Sequence, residues 1–234
     1  MKKIFYLLNN VDLFIQRRKE LFRNYIFYKF GSLPKFEYSL TKDFLKSKQN
    51  FQRNLQLYQS HPDLNLKAQR PSICRFKVYN LEKYINKQTT ILDVGGNIGF
   101  FSFYVSSFVK SIDVVEYNNV LIKISTKVKK HLNIKNVTLI NKDIKKYASK
   151  KKYDVIFSFA IHKWVGESLD NYLKRLFSLL KKGGIILFES HIGDKQELLN
   201  YLKNNKNIII IKQGITDDHD AELRYFFYIK NKGF

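Results

Sequence analysis

The sequence predicts an α/β fold, a parallel sheet with helices on both faces, preceded by a helical N-terminal segment. Three observations carry this. Residues 90–101 read as a short apolar strand, Ile91 to Val94, that breaks into Gly95, Gly96, Asn97 and Gly99 before an apolar helix begins. From Gln88 onward, strand-like and helix-like stretches alternate, as in a parallel sheet joined by crossover helices. Residues 4–30 keep only a helical period. The expected division is a helical segment over 1–85 and a core domain over 86–234.

In order, residues 4–30 place Ile4, Leu7, Leu8, Val11, Phe14, Ile15, Phe22, Tyr25 and Ile26 at helical spacing, with Arg17, Arg18, Lys19 and Arg23 between them. Such a basic amphipathic helix packs on its own domain, on a dimer partner, or on a membrane surface. After Gly31 to Pro34, a second helix is expected from Thr41 to Gln59, ended by His61-Pro62-Asp63. Pro71 and Ser72 then open a helix, leaving Arg70 just before it and Arg75 one turn inside, where both can face one anion.

The core strands are expected at 91–94, 111–115, 137–141, 153–158 and 185–188, with helices after the glycine turn, over 118–131 and over 169–180. The last of these carries Leu169, Tyr172, Leu173, Leu176, Phe177 and Leu180 on one face and is expected to stop at Gly183-Gly184. A short helix over 196–203 and strands at 208–211 and 224–229 complete the pattern, with Asp217, Asp218, His219 and Asp220 in the turn between those two strands.

Composition bounds the function. A hydrophobic fraction of 44% with 15% aromatic is that of a globular chain, and no apolar run approaches the ~20 residues of a membrane span. The start, Met1-Lys2-Lys3 and an apolar run, imitates a secretion signal, but Asn9 and Asn10 interrupt it early, so a cytoplasmic location is expected. One cysteine, Cys74, excludes an internal disulfide and the usual thiolate zinc site. Lys+Arg 42 against Asp+Glu 20 gives +22, which suits nucleic acid, anionic lipid or an acidic substrate. Much of that excess is Lys beside abundant Asn, Ile, Phe and Tyr, the mark of an AT-rich coding bias, so the scarce arginines carry more information.

In such a sheet, ligands bind at the carboxyl ends of the strands. Those ends hold Asp93 with Gly95, Gly96, Asn97 and Gly99, then Glu116, Asp143-Ile144, Ser158 and Glu189-Ser190-His191. The spacing Asp-x-Gly-x-x-x-Gly differs from the dinucleotide fingerprint and resembles motif I of the class I S-adenosylmethionine (SAM) dependent methyltransferases, whose order of motifs is matched over residues 89–191. The resemblance implies a Rossmann-like sheet and SAM as cofactor. Glu116 would then hold the ribose hydroxyls, Asp143 and Ile144 the adenine, Arg75 and Arg70 the methionine carboxylate, with Phe100 and Ser158 as further cofactor contacts.

The segment Phe159-Ala160-Ile161-His162-Lys163-Trp164-Val165-Gly166 resembles bacterial methyltransferases associated with surface polysaccharides and, through Lys163-Trp164-Val165, the RNA methylphosphate capping enzymes. It departs from the capping family in having Gly166 where that family places His and His162 where it places Thr. The expectation is therefore O-methylation of a sugar, sugar nucleotide or phosphoryl group of a surface glycan. RNA modification and a non-catalytic scaffold are the alternatives. His162 or His191 would act as base or acceptor clamp, and Lys163 with Arg70 would hold an anionic acceptor. His162, His191, His219 and Asp218 are too loosely spaced to predict a metal site.

Overall fold

The computed structural model of the chain describes residues 2–31, 33–47, 57–66, 68–191, 193, 195–216 and 223–232, with side chains from residue 14 onward. The predicted α/β core is present. Strands β3 (Thr90–Val94), β4 (Ser111–Glu116), β5 (Val137–Asn141), β6 (Tyr153–Phe159), β7 (Leu180–His191), β8 (Ile208–Thr216) and β9 (Arg224–Asn231) form one sheet of order β5-β4-β3-β6-β7-β9-β8. The first five run parallel, whereas β9 returns antiparallel beside β7 and β8 beside β9. β3 is buried along its whole length, as expected of a central strand covered on both faces. Val94 pairs with Val115 on one side and Ser158 on the other, so the chain order reverses at β3 and opens a crevice beyond its carboxyl end.

Alternate strand residues divide the core into two layers. Ile91, Phe157 and Leu187 pack toward α4 (Phe100–Val105) and α5 (Asn119–His131), while Leu92, Ile156 and Ile186 pack toward α7 (Leu169–Leu179) and α8 (Lys195–Asn204). The α7 stripe predicted from the leucine spacing is buried, and Ser168 caps its start by accepting from the Asn171 N–H at 3.3 Å.

Two boundaries differ from expectation. α7 ends at Leu179 rather than at Gly183-Gly184, because Leu180 already pairs with Tyr153. The register then shifts before Ile185 pairs with Val155, and both glycines fall inside that irregular stretch. The helix expected over 41–59 is replaced by α2 (Lys35–Lys46) and strand β1 (Leu57–Ser60), with Phe51 and Leu55 outside the described residues. Strand geometry wins at 57–60 because Leu57 and Gln59 find partners, Ala68 and Arg70, on β2 (Ala68–Pro71).

The N-terminal part contains α1 (Lys2–Phe30), α2, the parallel pair β1–β2 and α3 (Ser72–Tyr79), which Pro71 and Ser72 open as predicted. Leu40, Leu57 and Phe76 from these elements join the same apolar layer as Phe101 and Ile91 of the sheet domain. Ser72 Oγ donates to the Ser60 carbonyl at 2.6 Å and the Phe101 N–H to Gln59 Oε1 at 3.4 Å, fastening β1 and α3 beside the strand ends. Among the described residues no helix is long and apolar enough to cross a membrane.

Candidate active site

The glycine turn after β3 is shaped by residues that a side chain would disrupt. Gly95 has φ +68°, and a Cβ there would lie 2.7 Å from Ile161. Gly99, at φ +84°, sets the start of α4. Asn97 is also left-handed, a conformation asparagine tolerates better than most residues.

Around this turn stand two carboxylates. Asp93 is buried, and its Oδ2 accepts from Ser102 Oγ at 2.7 Å, while Oδ1 is enclosed without a hydrogen-bond partner. Burial raises its pKa to about 6 against the lowering effects of the Ser102 bond and the Arg75 charge. Glu116 ends β4, with Oε2 accepting from the Asn97 N–H at 3.1 Å and Oε1 from the Asn118 N–H at 2.9 Å. Burial raises its pKa too, opposed by these backbone donors.

Two adjoining clefts open here. One, of about 300 Å³, is lined among others by Gly95, Asn97, Glu116, Phe159, His191 and Arg224. The other, of about 230 Å³, is lined by Val115, Lys142, Asp143, Ile144, Lys145 and Val165. Gly95, Tyr117, Ile161 and Trp164 border both, and Trp164 is 73% exposed.

Behind Tyr58 and Arg224 of the larger cleft lies a buried charge cluster centred on Glu189, whose side chain has no exposure. Arg75 Nη2 donates to Glu189 Oε2 and Arg224 Nη1 to Oε1, each at 2.7 Å. Tyr79 receives hydrogen bonds from Arg75 Nε and Nη2 at 3.0 and 2.6 Å and donates its own proton to Glu189. Arg224 also donates to the Tyr58 hydroxyl, and the Arg70 guanidinium lies 5.9 Å from the Tyr58 ring centroid. Burial alone would raise Glu189, but Arg75, Arg224 and Arg70 outweigh it and hold the carboxyl at about 2. Two guanidiniums thus bond Glu189 and the charge of Arg70 adds to them, while Arg224, 8% exposed, keeps a buried Nε with no hydrogen-bond partner.

The predicted site residues separate into two groups. Asp93, Gly95, Asn97, Glu116, Asp143, Ile144 and His191 meet at or beside the clefts. Gly96 packs under the turn, where a Cβ would come within 2.5 Å of Val114, and Gly99 starts the next helix.

The rest are placed elsewhere. Arg75 was expected at the methionine carboxylate, but its guanidinium is enclosed on Glu189 and Tyr79 behind Phe159, with its Cζ 4.5 Å from that ring centroid. Arg70 is buried in the same cluster rather than lining a cleft. Phe100 fills the core, because the turn directs the first helical side chain inward, and Ser158 Oγ is 2.9 Å from the Tyr172 hydroxyl in the interior. His162 turns from the clefts toward Phe188, ring centroids 5.2 Å apart, and Lys163 is exposed outside both. His219 and Asp218 lie outside the described residues. Tyr58, Gln69, Tyr79, Glu189 and Arg224 had no assigned role; the available signal was that Arg224 is one of only eight arginines and opens a strand at the active edge.

The residues present fit SAM. Asp93 Oδ1 supplies an acceptor suited to the methionine ammonium, the turn at Gly95 admits a close backbone approach, and each Glu116 oxygen keeps a lone pair for a ribose hydroxyl. Asp143 and Ile144 offer an amino acceptor and an apolar face for adenine.

Sheet order, glycine turn and Glu116 together define the class I SAM-dependent methyltransferase architecture. Comparison with known proteins agrees. The methyltransferase-domain family matches residues 85–226. A malonyl-[acyl-carrier protein] O-methyltransferase of Ilyobacter polytropus is 38% identical over 118 residues, 49% of this chain and 44% of that protein. An uncharacterized RNA methyltransferase of Mycoplasma mobile is 29% identical over 136 residues, 58% of this chain and 37% of that protein. The chain spans about half the length, or less, of these curated relatives. A SAM-dependent methyltransferase from Thiobacillus denitrificans, solved with S-adenosylhomocysteine, superposes with TM-score 0.54 at 14% identity, over 66% of this chain and 90% of that one. The chain belongs to the methyltransferase-domain family.

Proposed function

We propose that the protein is an O-methyltransferase whose acceptor is an acidic oxygen, a carboxylate or a phosphoryl group, held on the arginine side of the larger cleft. The carrying observation is Arg224, which lines the larger cleft, is held through Nη1 by Glu189 and Tyr58, and keeps a buried Nε without a hydrogen-bond partner. A buried guanidinium with a donor left unpaired is costly unless an acceptor completes it. With the ribose assigned to Glu116 and the adenine to Asp143 and Ile144, the Arg224 side of the larger cleft is left for the acceptor.

SAM supplies a methyl group on a sulfonium that is already activated for in-line displacement. The task of the chain is alignment: the acceptor oxygen forms its bond to the methyl carbon as the carbon–sulfur bond breaks. An ionised carboxylate or phosphate has no proton to lose, so Arg224 fixes its orientation and no base is needed. The malonyl-carrier-protein relatives carry a name in keeping with a carboxylate acceptor.

An alcohol of a surface glycan is the second reading, and His191, which lines the cleft beside Arg224, favours it by offering a base. The relatives reported above are not polysaccharide enzymes. Transfer of labelled methyl from SAM to a malonyl thioester, a sugar phosphate, a neutral sugar and an RNA fragment tests the proposal. Label in the first or second supports it; label confined to the neutral sugar or to a base or ribose of RNA overturns it.

A further inference from the structure

α1 packs on the protein with the wrong face for an ordinary amphipathic helix. Its half-buried positions are Arg17, Glu20, Leu21, Asn24 and Tyr28, a mostly polar stripe at helical spacing that rests on α2, with Tyr28 stacked 4.6 Å from Tyr38. The opposite arc exposes Phe14, Ile15, Phe22, Tyr25, Ile26 and Phe30, with Phe30 at 83% and Phe22 at 66%. A run of large apolar side chains left in water marks an interaction surface.

The charges on that arc select the occupant. Arg18, Lys19, Arg23 and Lys29 are exposed among the aromatics, and Arg18 sits 4.8 Å over the Phe14 ring. Glu20 is the one acid among residues 14–30, and it is half-buried and bound to Arg23 at 3.1 Å. A second copy apposed through this arc would set cations against cations, with Glu20 turned toward the protein and already bound to Arg23. Aromatic and aliphatic side chains with interleaved arginines and lysines match the boundary of an anionic bilayer, where rings enter the headgroup region and cations reach the phosphates. We propose that α1 docks the protein on a membrane surface containing anionic lipid, its axis in the membrane plane. The proposal rests on α1 alone and is independent of the acceptor.

The full chain is floated with vesicles of equal parts phosphatidylglycerol and phosphatidylcholine, and separately with phosphatidylcholine alone. It should rise with the first and not the second. Arg18→Ala with Lys19→Ala should lower partitioning about thirtyfold, from the roughly fivefold each cation contributes near an anionic surface. Phe22→Ser with Phe30→Ser should lower it by a comparable factor. All variants should keep wild-type S-adenosylhomocysteine affinity, which separates loss of docking from loss of fold. Three results overturn the proposal: no flotation of the wild type; flotation unaffected by the phenylalanine changes, which would mean adsorption by net charge; or a solution dimer that those changes dissociate, which would mean that a second copy covers the face.

Discussion

Arg75 and Glu189, 114 residues apart in the chain, meet at 2.7 Å with neither side chain exposed to solvent. The pair ties α3 to the end of β7, and Arg224 of β9 completes it from the other side. Removing the acid leaves two buried guanidiniums opposed, so Glu189→Ala should destabilise the fold by about 3–5 kcal/mol, measured by urea unfolding. The acid limb follows from the shift. With the folded carboxyl held at about 2, below its unfolded value of 4.5, the contribution is full above the unfolded value and fades as pH falls toward 2. Wild type and Glu189→Ala should therefore converge in stability at low pH; a constant gap would contradict the ion-pair account.

The glycine-turn side of the site, where the donor is expected, was legible because it is local. Asp93, Gly95, Gly99 and Glu116 lie on successive strand ends whose positions follow from apolar runs and breaks, and the structure gathers them at one turn. The acceptor half was not. Its wall joins Tyr58, Gln69 and Arg224 from separate elements, and pairing of His191 with Arg224 depends on the antiparallel return of β9, which a period of two does not reveal. Arg75 misled for a related reason: spacing gives its turn of helix but not that the nearest anion is Glu189 rather than a ligand. His162 misled because a helix begins at it, sending its ring toward Phe188 instead of along the strand-end edge.

Glu116 is the residue expected to contact the ribose. Its two oxygens are oriented by the Asn97 and Asn118 N–H groups, so the carboxylate is preset for a diol. Hydrogen bonds to a charged group are worth about 1.5–3 kcal/mol, hence Glu116→Ala should weaken S-adenosylhomocysteine binding about tenfold to a hundredfold by calorimetry. His162→Ala should leave it unchanged, since that ring lies against Phe188 outside both clefts.

Cofactor affinity should also depend on pH. Burial lifts Asp93 to about 6, and the cationic ammonium of the donor prefers its ionised form. Affinity should rise as pH climbs through about 6 and level off above it, whereas the unliganded fold loses stability over the same interval because ionisation is disfavoured there. Asp93→Asn should bind more weakly at pH 7 with a flatter profile, the remaining slope belonging to Glu116, whose pKa is raised in the same direction. An Asp93→Asn profile as steep as wild type would remove Asp93 from the ammonium contact.

Arg224 distinguishes an acidic acceptor from a neutral one. It is held by Glu189 and Tyr58 through one nitrogen, Nη1, while Nε is buried at the cleft wall with no protein partner. If a carboxylate or phosphoryl oxygen completes that guanidinium, Arg224→Gln should raise KM for the acidic acceptor about tenfold to a hundredfold, the range for a hydrogen bond to charge. Arg224→Lys should recover part of the loss, because the charge returns without the planar fork. S-adenosylhomocysteine affinity should stay at its wild-type value in both variants, as the expected donor contacts, Glu116 and Asp143, lie at other strand ends. An equal loss for neutral and acidic acceptors would assign Arg224 to the architecture of the Glu189 cluster and leave the acceptor's charge unrecognised by it.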